Sequence, residues 1–115
     1  LSSRAPIGKV ALAGCEFYCN QGFKNIVCNE HLNPLFLLML LKYNNEYLNS
    51  LGRGATFKEI SKTIVSKIKI PTPPIELQNQ FADFVKHIDK LKFTIKQSIE
   101  KLELCYKSLM KQYFD

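Results

Sequence analysis

The chain has 115 residues, of which 46% are hydrophobic and 23% are charged. This length supports one small domain, and the composition argues against a wholly disordered chain. Sixteen lysines and arginines against ten acidic residues give a net charge of +6, which favours an acidic partner such as nucleic acid, an anionic membrane or an acidic protein.

Targeting signals are not evident in the sequence. The longest apolar run, residues 35–41, is far shorter than the roughly 20 residues that span a bilayer, and no signal peptide pattern opens the chain. The four cysteines, without secretory features, favour reduced thiols, so we expect a cytoplasmic location. The chain starts at Leu1 in strand-like sequence, and we therefore expect it to be a portion of a larger protein.

The first third of the chain predicts short strands with glycine-containing turns. Residues 7–13 and 17–19 are apolar and compatible with strands, and residues 23–28 alternate apolar and polar side chains. Asn33-Pro34 is typical of a helix start, and apolar residues at helical spacing continue to a stop at Gly52. This helix is expected to pack into the core.

The next segment predicts one further short helix and one further strand. Thr56 could cap a helix that ends at Ile60 or Ser61, with Glu59 as the capping-box residue. Residues 66–70 alternate and predict a strand. The prolines in 71–74 can continue neither a strand ladder nor a helix, so they mark a boundary.

Residues 75–114 contain neither glycine nor proline and predict one long helix. Alternating steps of four and three from Leu77 give eleven positions, nine of them apolar or cysteine, which indicates a coiled coil. The apolar residues that we call the seam are Leu77, Phe81, Phe84, Ile88, Leu91, Ile95, Leu102 and Leu109. Further apolar residues widen this stripe, so the helix must bury a broad face.

The charge is unevenly distributed between these two parts. Residues 1–73, which we call the head, carry nine basic and four acidic side chains, a net charge of +5, whereas residues 74–115 carry seven and six. The predicted fold class is therefore α+β, with a small mixed strand and helix head followed by one long coiled-coil helix. This distribution favours a head that contacts nucleic acid and a helix that contacts protein.

One residue group could hold a metal ion. Cys15, Cys19, Cys28 and His31 form a C-x3-C-x8-C-x2-H pattern, but the tight C-x2-C pairs of most structural zinc sites are missing. We favour buried small apolar side chains at these cysteines over a zinc site, so no metal site is predicted.

Two other groups could bind a base or a phosphate. Asn33-Pro34-Leu35-Phe36 is similar to the motif with which amino-methyltransferases hold a flipped base, but a helix cap explains the same residues. Gly52-Arg53-Gly54 with Lys58 could bind phosphate, and a plain connecting turn explains it equally well. The sequence suggests no acid pair and no nucleophile–base pair, so no active site is predicted.

Five motifs occur in order along nearly the whole chain, and their succession carries a family resemblance. They are Ser2-Ser3-Arg4-Ala5-Pro6-Ile7-Gly8, Asn20-Gln21-Gly22-Phe23-Lys24, Gly54-Ala55-Thr56-Phe57-Lys58-Glu59-Ile60-Ser61-Lys62, Ile68-Lys69-Ile70-Pro71 and Pro73-Pro74-Ile75-Glu76-Leu77-Gln78. Each motif is weak alone. Together they resemble the specificity subunit of type I restriction–modification enzymes, although Leu77 replaces the usual acidic residue.

The resemblance implies a non-catalytic subunit that recognises double-stranded DNA. Such subunits have two target-recognition domains, each followed by a long helix, and the two helices pack antiparallel to space the halves of a bipartite target. Methylation and restriction subunits dock around them and bind S-adenosylmethionine, ATP and Mg²⁺, so this chain would bind no cofactor itself. Residues 1–73 would be part of one recognition domain, and residues 74–115 its spacer helix.

The same resemblance ranks the candidate DNA contacts. Base readout in this family falls on variable positions, so we expect the motif residues to be structural. Lys24, Arg53 and Lys58 are our DNA-contact candidates, with phosphate more than with bases. Because the helix carries a broad apolar stripe, we also expect self-association of the chain as an antiparallel pair through residues 75–115.

Two alternatives stay open from the sequence. The chain could be a coiled-coil interaction or scaffold protein without a DNA role, for which the heptad pattern alone is sufficient. It could also be a methyltransferase fragment, but no glycine-rich cofactor loop after a strand supports this.

Overall fold

The fold is described from a computed structural model of the chain, which covers residues 1–52 and 58–114. The chain divides into two compact units, Leu1–Gln80 and Phe81–Asp115. The described residues contain four helices: α1 (Pro34–Tyr43), α2 (Asn45–Ser50), α3 (Lys62–Ser66) and α4 (Ile75–Phe114). Helix α4 begins in the first unit and forms the described part of the second.

Residues 1–4 are the central segment of the first unit. Ser2 forms an isolated antiparallel bridge with Phe23, and the backbone N–H of Ser3 donates to the carbonyl oxygen of Gly22 at 2.8 Å. The Ser3 side chain is completely buried. The first and second motifs therefore contact each other directly.

The same segment also contacts the third motif. Arg4 forms a second isolated antiparallel bridge, with Glu59, and the backbone N–H of Ile60 donates to the carbonyl oxygen of Ser3 at 2.9 Å. Ile60 is completely buried. Residues 1–4 thus pair with both the second and the third motif.

The predicted strands are wrong, and with them the mixed strand and helix character of the head. They were expected at residues 7–13, 17–19, 23–28 and 66–70, but extended pairing among the described residues is limited to the two isolated bridges. A strand needs an adjacent strand to satisfy its backbone hydrogen bonds. Residues 11–20 are exposed throughout, so their apolar side chains face no neighbouring layer.

Helix α1 begins as predicted. The Asn33 side-chain oxygen accepts hydrogen bonds from the backbone N–H groups of Leu35 at 2.9 Å and Phe36 at 3.2 Å, and Pro34 is the first helical residue. These bonds satisfy donors that an α-helix leaves unpaired in its first turn. The helix-cap interpretation of the Asn33-Pro34 motif is confirmed.

The predicted single helix to Gly52 is interrupted at Asn44, which separates α1 from α2. The backbone N–H and the side-chain amide of Asn44 both donate to the carbonyl oxygen of Leu40, at 3.1 and 2.8 Å. A side-chain amide that binds a nearby carbonyl competes with helix continuation. Asn44 accordingly has φ −98° and ψ 27°, outside the helical range.

Helix α3 lies where the sequence predicted a different pattern. The Ser61 hydroxyl oxygen accepts from the backbone N–H of Ile64 at 3.2 Å and caps Lys62–Ser66. The expected helix cap at Thr56 lies outside the described residues. Residues 58–60 are not helical, because Glu59 and Ile60 bind the N-terminal segment instead.

Helix α4 is confirmed over Ile75–Phe114, 40 residues. A helix of this length extends about 60 Å at a rise of 1.5 Å per residue. Its N-terminal end follows the prolines directly, since the carbonyl oxygen of Pro74 accepts from the N–H of Leu77 at 3.0 Å. Among the described residues, no helix combines the length and apolarity that a membrane crossing requires.

The core of the first unit is small and mostly helical. Leu37, Leu41 and Leu48 form a buried cluster. Partly buried apolar residues pack against it from the N-terminal segment, the loop before α1 and the segment after α3: Leu1, Val10, Cys28, Leu32, Leu51, Ile68 and Ile70. Helices α1 and α2 therefore carry the core, and irregular segments cover it.

Gln78 joins α4 to the rest of the first unit. The side chain is completely buried, and its oxygen accepts from the backbone N–H of Asn33 at 2.9 Å. Its side-chain nitrogen donates to the carbonyl oxygens of His31 at 3.0 Å and Pro73 at 2.7 Å. All the strong hydrogen-bonding groups of one amide are engaged, which is what a buried polar side chain requires.

Gly8 occupies a position that a side chain cannot take without strain. Its φ is +87°, and a Cβ atom there would lie 2.7 Å from the side-chain nitrogen of Asn45. That nitrogen donates to the carbonyl oxygen of Gly8 at 2.7 Å. The glycine of the first motif thus allows the N-terminal segment to approach α2 closely.

We expect Gly8→Ala to lower the free energy of unfolding by about 1–3 kcal/mol, because alanine is strained at positive φ and would displace Asn45. Gly14→Ala is the matched control, since a Cβ atom there meets nothing within 4 Å, and it should leave stability unchanged or slightly raised. Urea denaturation followed by circular dichroism measures both. Equal stability of the two variants would contradict the prediction.

Candidate nucleic-acid interface

Lys24 lies beside the N-terminal segment. Its backbone N–H donates to the carbonyl oxygen of Leu1 at 2.8 Å, and its side-chain nitrogen lies 3.3 Å from the carbonyl oxygen of Gln21. The side chain is half-buried. The backbone of this candidate is thus fixed, and its ammonium group is held near the turn of the second motif.

Lys58 lies next to a residue that pairs with the N-terminal segment. It is exposed and precedes Glu59, whose carboxylate forms an ion pair of 3.5 Å with Arg4. The third candidate, Arg53, lies outside the described residues. Lys24 and Lys58 are therefore both anchored beside the N-terminal segment, through the pairing at Leu1 and at Arg4 respectively.

Most of the remaining positive charge of the head is accessible to solvent. The exposed basic residues are Arg4, Lys9, Lys42, Lys58, Lys62, Lys67 and Lys69. In the described part of the head, Arg4 is the only lysine or arginine in an ion pair. The other cations therefore keep their charge available for a partner.

An open apolar groove lies between residues 23–27, α1 and the segment around α3. Its apolar lining includes Leu1, Ile26, Val27, Leu37, Val65 and Ile68. The charged residues of its lining are Lys24 and Lys62. Because the described residues that line the groove include no carboxylate or imidazole, they lack the groups for acid–base chemistry.

The seam of α4 is exposed along its length. Seven of its eight residues have exposed fractions between 40 and 69%, and Ile88 is half-buried. Tyr106, Met110, Tyr113 and Phe114 are also exposed. An exposed apolar stripe of this extent is typical of a protein-docking surface.

The cysteines differ from the interpretation made from sequence. Cys15 and Cys19 are exposed, so their assignment as buried apolar side chains is wrong. Their segment contacts no covering layer, which sequence alone did not reveal. His31 lies 3.5 Å from Glu30, and the described residues contain no group of three or more side chains suited to hold a metal ion.

Two further residues that organise this surface had only weak signals in the sequence. Ser2 accepts from the backbone N–H of Lys9 at 3.0 Å and donates to the carbonyl oxygen of Pro6 at 2.7 Å, which closes the turn of the first motif. Gln78 was visible only as a member of the fifth motif. The partners of Ser2 lie in the same turn, whereas two of the partners of Gln78 become apparent only when distant segments meet.

A comparison with protein families identifies the chain. A family model described as the type I restriction modification DNA specificity domain matches residues 1–104. The chain belongs to this family. The resemblance inferred from the five motifs is therefore confirmed.

Curated proteins with similar sequences include specificity subunits of type I restriction enzymes. The type I restriction enzyme MjaIX specificity subunit of Methanocaldococcus jannaschii is 35% identical over 116 residues, which cover 99% of the chain and 27% of that subunit. The MjaVIII specificity subunit of the same organism is 36% identical over 86 residues, 75% of the chain and 20% of that subunit. The chain spans about a quarter of the length of these relatives.

Thiol reactivity should differ between Cys28 and the exposed cysteines. Burial raises the pKa of the Cys28 thiol, which lowers its thiolate fraction at neutral pH, and the thiolate is the reactive form. We expect iodoacetamide to modify Cys28 several-fold more slowly than Cys15, which is exposed and lies outside α4. Peptide mass spectrometry after timed alkylation measures this. In urea the rates should converge; equal rates in the native chain would contradict the prediction.

Proposed function

We propose that this chain is the part of a type I specificity subunit that recognises one half of a bipartite DNA target. The observation that carries the proposal is the family match over residues 1–104. In this proposal the chain catalyses nothing itself. Its partners, the methylation and restriction subunits, would bind S-adenosylmethionine, ATP and Mg²⁺, and the assembly would act in the cytoplasm.

The electrostatics of the head support DNA as the partner. Of the eight basic head residues that the structure describes, seven are exposed. Phosphate contacts position a protein on the duplex, and cations that neutralise phosphates give affinity that falls with salt. Lys24, Arg53 and Lys58 are proposed as phosphate contacts.

The apolar surface of α4 supports a protein partner. A long helix gains most of its stability from packing an apolar face, and the seam residues of α4 are exposed or half-buried within the chain. We propose that α4 pairs antiparallel with an equivalent helix, from a second copy or from a second domain of a longer subunit. The partner subunits would dock around this pair.

A domain exchange tests the recognition role. In a longer subunit that contains this chain, replacement of residues 1–73 by the equivalent region of a relative should change which DNA sequence the assembly methylates. Sequencing that detects methylated bases reads the result. An unchanged methylation pattern would exclude the proposed function.

The phosphate contacts predict a change in salt dependence. In the DNA-binding assembly, combined Lys24→Gln, Arg53→Gln and Lys58→Gln should reduce the slope of log K against log salt by about 0.9 for each phosphate that is no longer neutralised. Fluorescence anisotropy at several salt concentrations measures the slope.

The control removes equal charge from α4, with Lys101→Gln, Lys107→Gln and Lys111→Gln, and should leave the slope unchanged. Equal slopes for the head variant and wild type would contradict phosphate contact by these residues. If the whole assembly also bound DNA without salt dependence, a scaffold role would be favoured.

Pairing through α4 predicts a dimer of the chain in isolation. Ile88→Asp or Leu91→Asp should convert the dimer to a monomer, because a buried unpaired carboxylate costs several kcal/mol. Analytical ultracentrifugation distinguishes the two masses. Gln97→Asp adds the same charge outside the seam and should leave the dimer intact; a wild-type monomer at high concentration, with the helix formed, would contradict the prediction.

A further inference from the structure

The first turn of α4 is tied to the head by one side chain. Gln78 binds the backbone N–H of Asn33, 45 residues away, and the carbonyl oxygen of His31, 47 residues away. It also binds the carbonyl oxygen of Pro73, two residues before the helix. The loop before α1 and the proline boundary before α4 thus meet at one amide.

The neighbouring polar contacts extend this connection. The Asn33 side-chain nitrogen donates to the side-chain oxygen of Asn79 at 2.8 Å, while the Asn33 side-chain oxygen caps α1. The Asn33 side chain therefore joins the N-terminal end of α1 to the N-terminal end of α4. Gln78 and Asn33 together fix these two helix ends to each other.

Glutamine is specified here by its chemistry. The site needs one acceptor for the N–H of Asn33 and two donors for the carbonyls of His31 and Pro73, which one amide supplies. A glutamate side chain would replace the donating nitrogen by a second acceptor oxygen, which would face the carbonyl oxygens of His31 and Pro73. An apolar residue would remove the partner of all three backbone groups, whose hydrogen bonds are part-buried.

We propose that Gln78 is a positioning residue for the spacing of the DNA target. Helix α4 continues unbroken from this site to Phe114. Greater mobility of its first turn would therefore weaken the connection between the head and the spacer helix. The separation at which the assembly accepts its two half-sites then depends on the hydrogen bonds of Gln78. This inference rests on the proposed function, because it assigns a residue to the spacing of the same target.

The first test measures the connection without DNA. In a chain whose four cysteines are replaced by alanine, spin labels at Lys42→Cys on α1 and Gln80→Cys on α4 report the distance between these two helices. Pulsed electron–electron double resonance should give one narrow distance distribution for the labelled chain with Gln78. The Gln78→Met variant should give a broader one. Glu76→Met, an exposed residue of the same helical turn, should leave it narrow.

The second test measures target spacing in the full assembly. The wild-type assembly should bind its cognate site about tenfold or more better than a site with one extra base pair between the half-sites, a penalty comparable to one altered base pair. Gln78→Met should lose most of this preference and keep its affinity for the half-sites, whereas Glu76→Met should keep both.

The outcomes separate the two proposals. An unchanged distance distribution or an unchanged spacing preference in a folded Gln78→Met variant would overturn the positioning role, as would an equal loss of affinity for every spacing. If Gln78→Met does not fold, Gln78→Glu decides by the same two measurements, because it retains the acceptor for Asn33. A wild-type assembly with no spacing preference would overturn the proposed function, while the spin-label result would still decide the role of Gln78 in the connection.

Discussion

The buried amide of Gln78 is the interaction on which the arrangement of the first unit depends. The core of this unit includes a cluster of three leucines on α1 and α2. Gln78 attaches the first turn of α4 to this unit by pairing with backbone groups of Asn33, His31 and Pro73. A buried hydrogen-bond network gives directional specificity that apolar contacts alone do not, since the hydrophobic effect is non-directional. The first turn of α4 is consequently held in the first unit by hydrogen bonds as well as by chain continuity.

The elements that sequence predicted correctly are those encoded by local interactions. The cap at Asn33 needs only residues within one helical turn, and the 75–114 helix needs only helix-forming residues without glycine or proline. The predicted strands failed because a strand depends on a partner elsewhere in the chain. The break at Asn44 was missed because one asparagine could equally sit on an exposed helical face, and only its bonds to Leu40 determine the result.

The sequence predicted which residues carry the positive charge of the candidate site, but not how those residues are arranged in space. Charge counting placed the positive excess on the head, and the motifs supplied Lys24 and Lys58 as candidates. Their positions beside residues 1–4 follow from the pairing of three distant segments, which no local pattern encodes. The glycine at position 8 is similar: its positive φ and its contact with Asn45 explain why the motif needs glycine, but the contact spans 37 residues.

The exposed apolar surfaces indicate where the stability of this protein must come from. The seam exposes apolar side chains over a helix of 40 residues, and an isolated helix in water is only marginally stable without a packed face. Burial of apolar area contributes about 25 cal/mol per Å², so covering such a stripe can stabilise helix and partner together. Protein assembly and folding of α4 are then linked equilibria, in which a partner that binds the folded helix raises its stability by mass action. Because Gln78 ties the first turn of α4 to Asn33, His31 and Pro73, that stabilisation extends to the loop before α1.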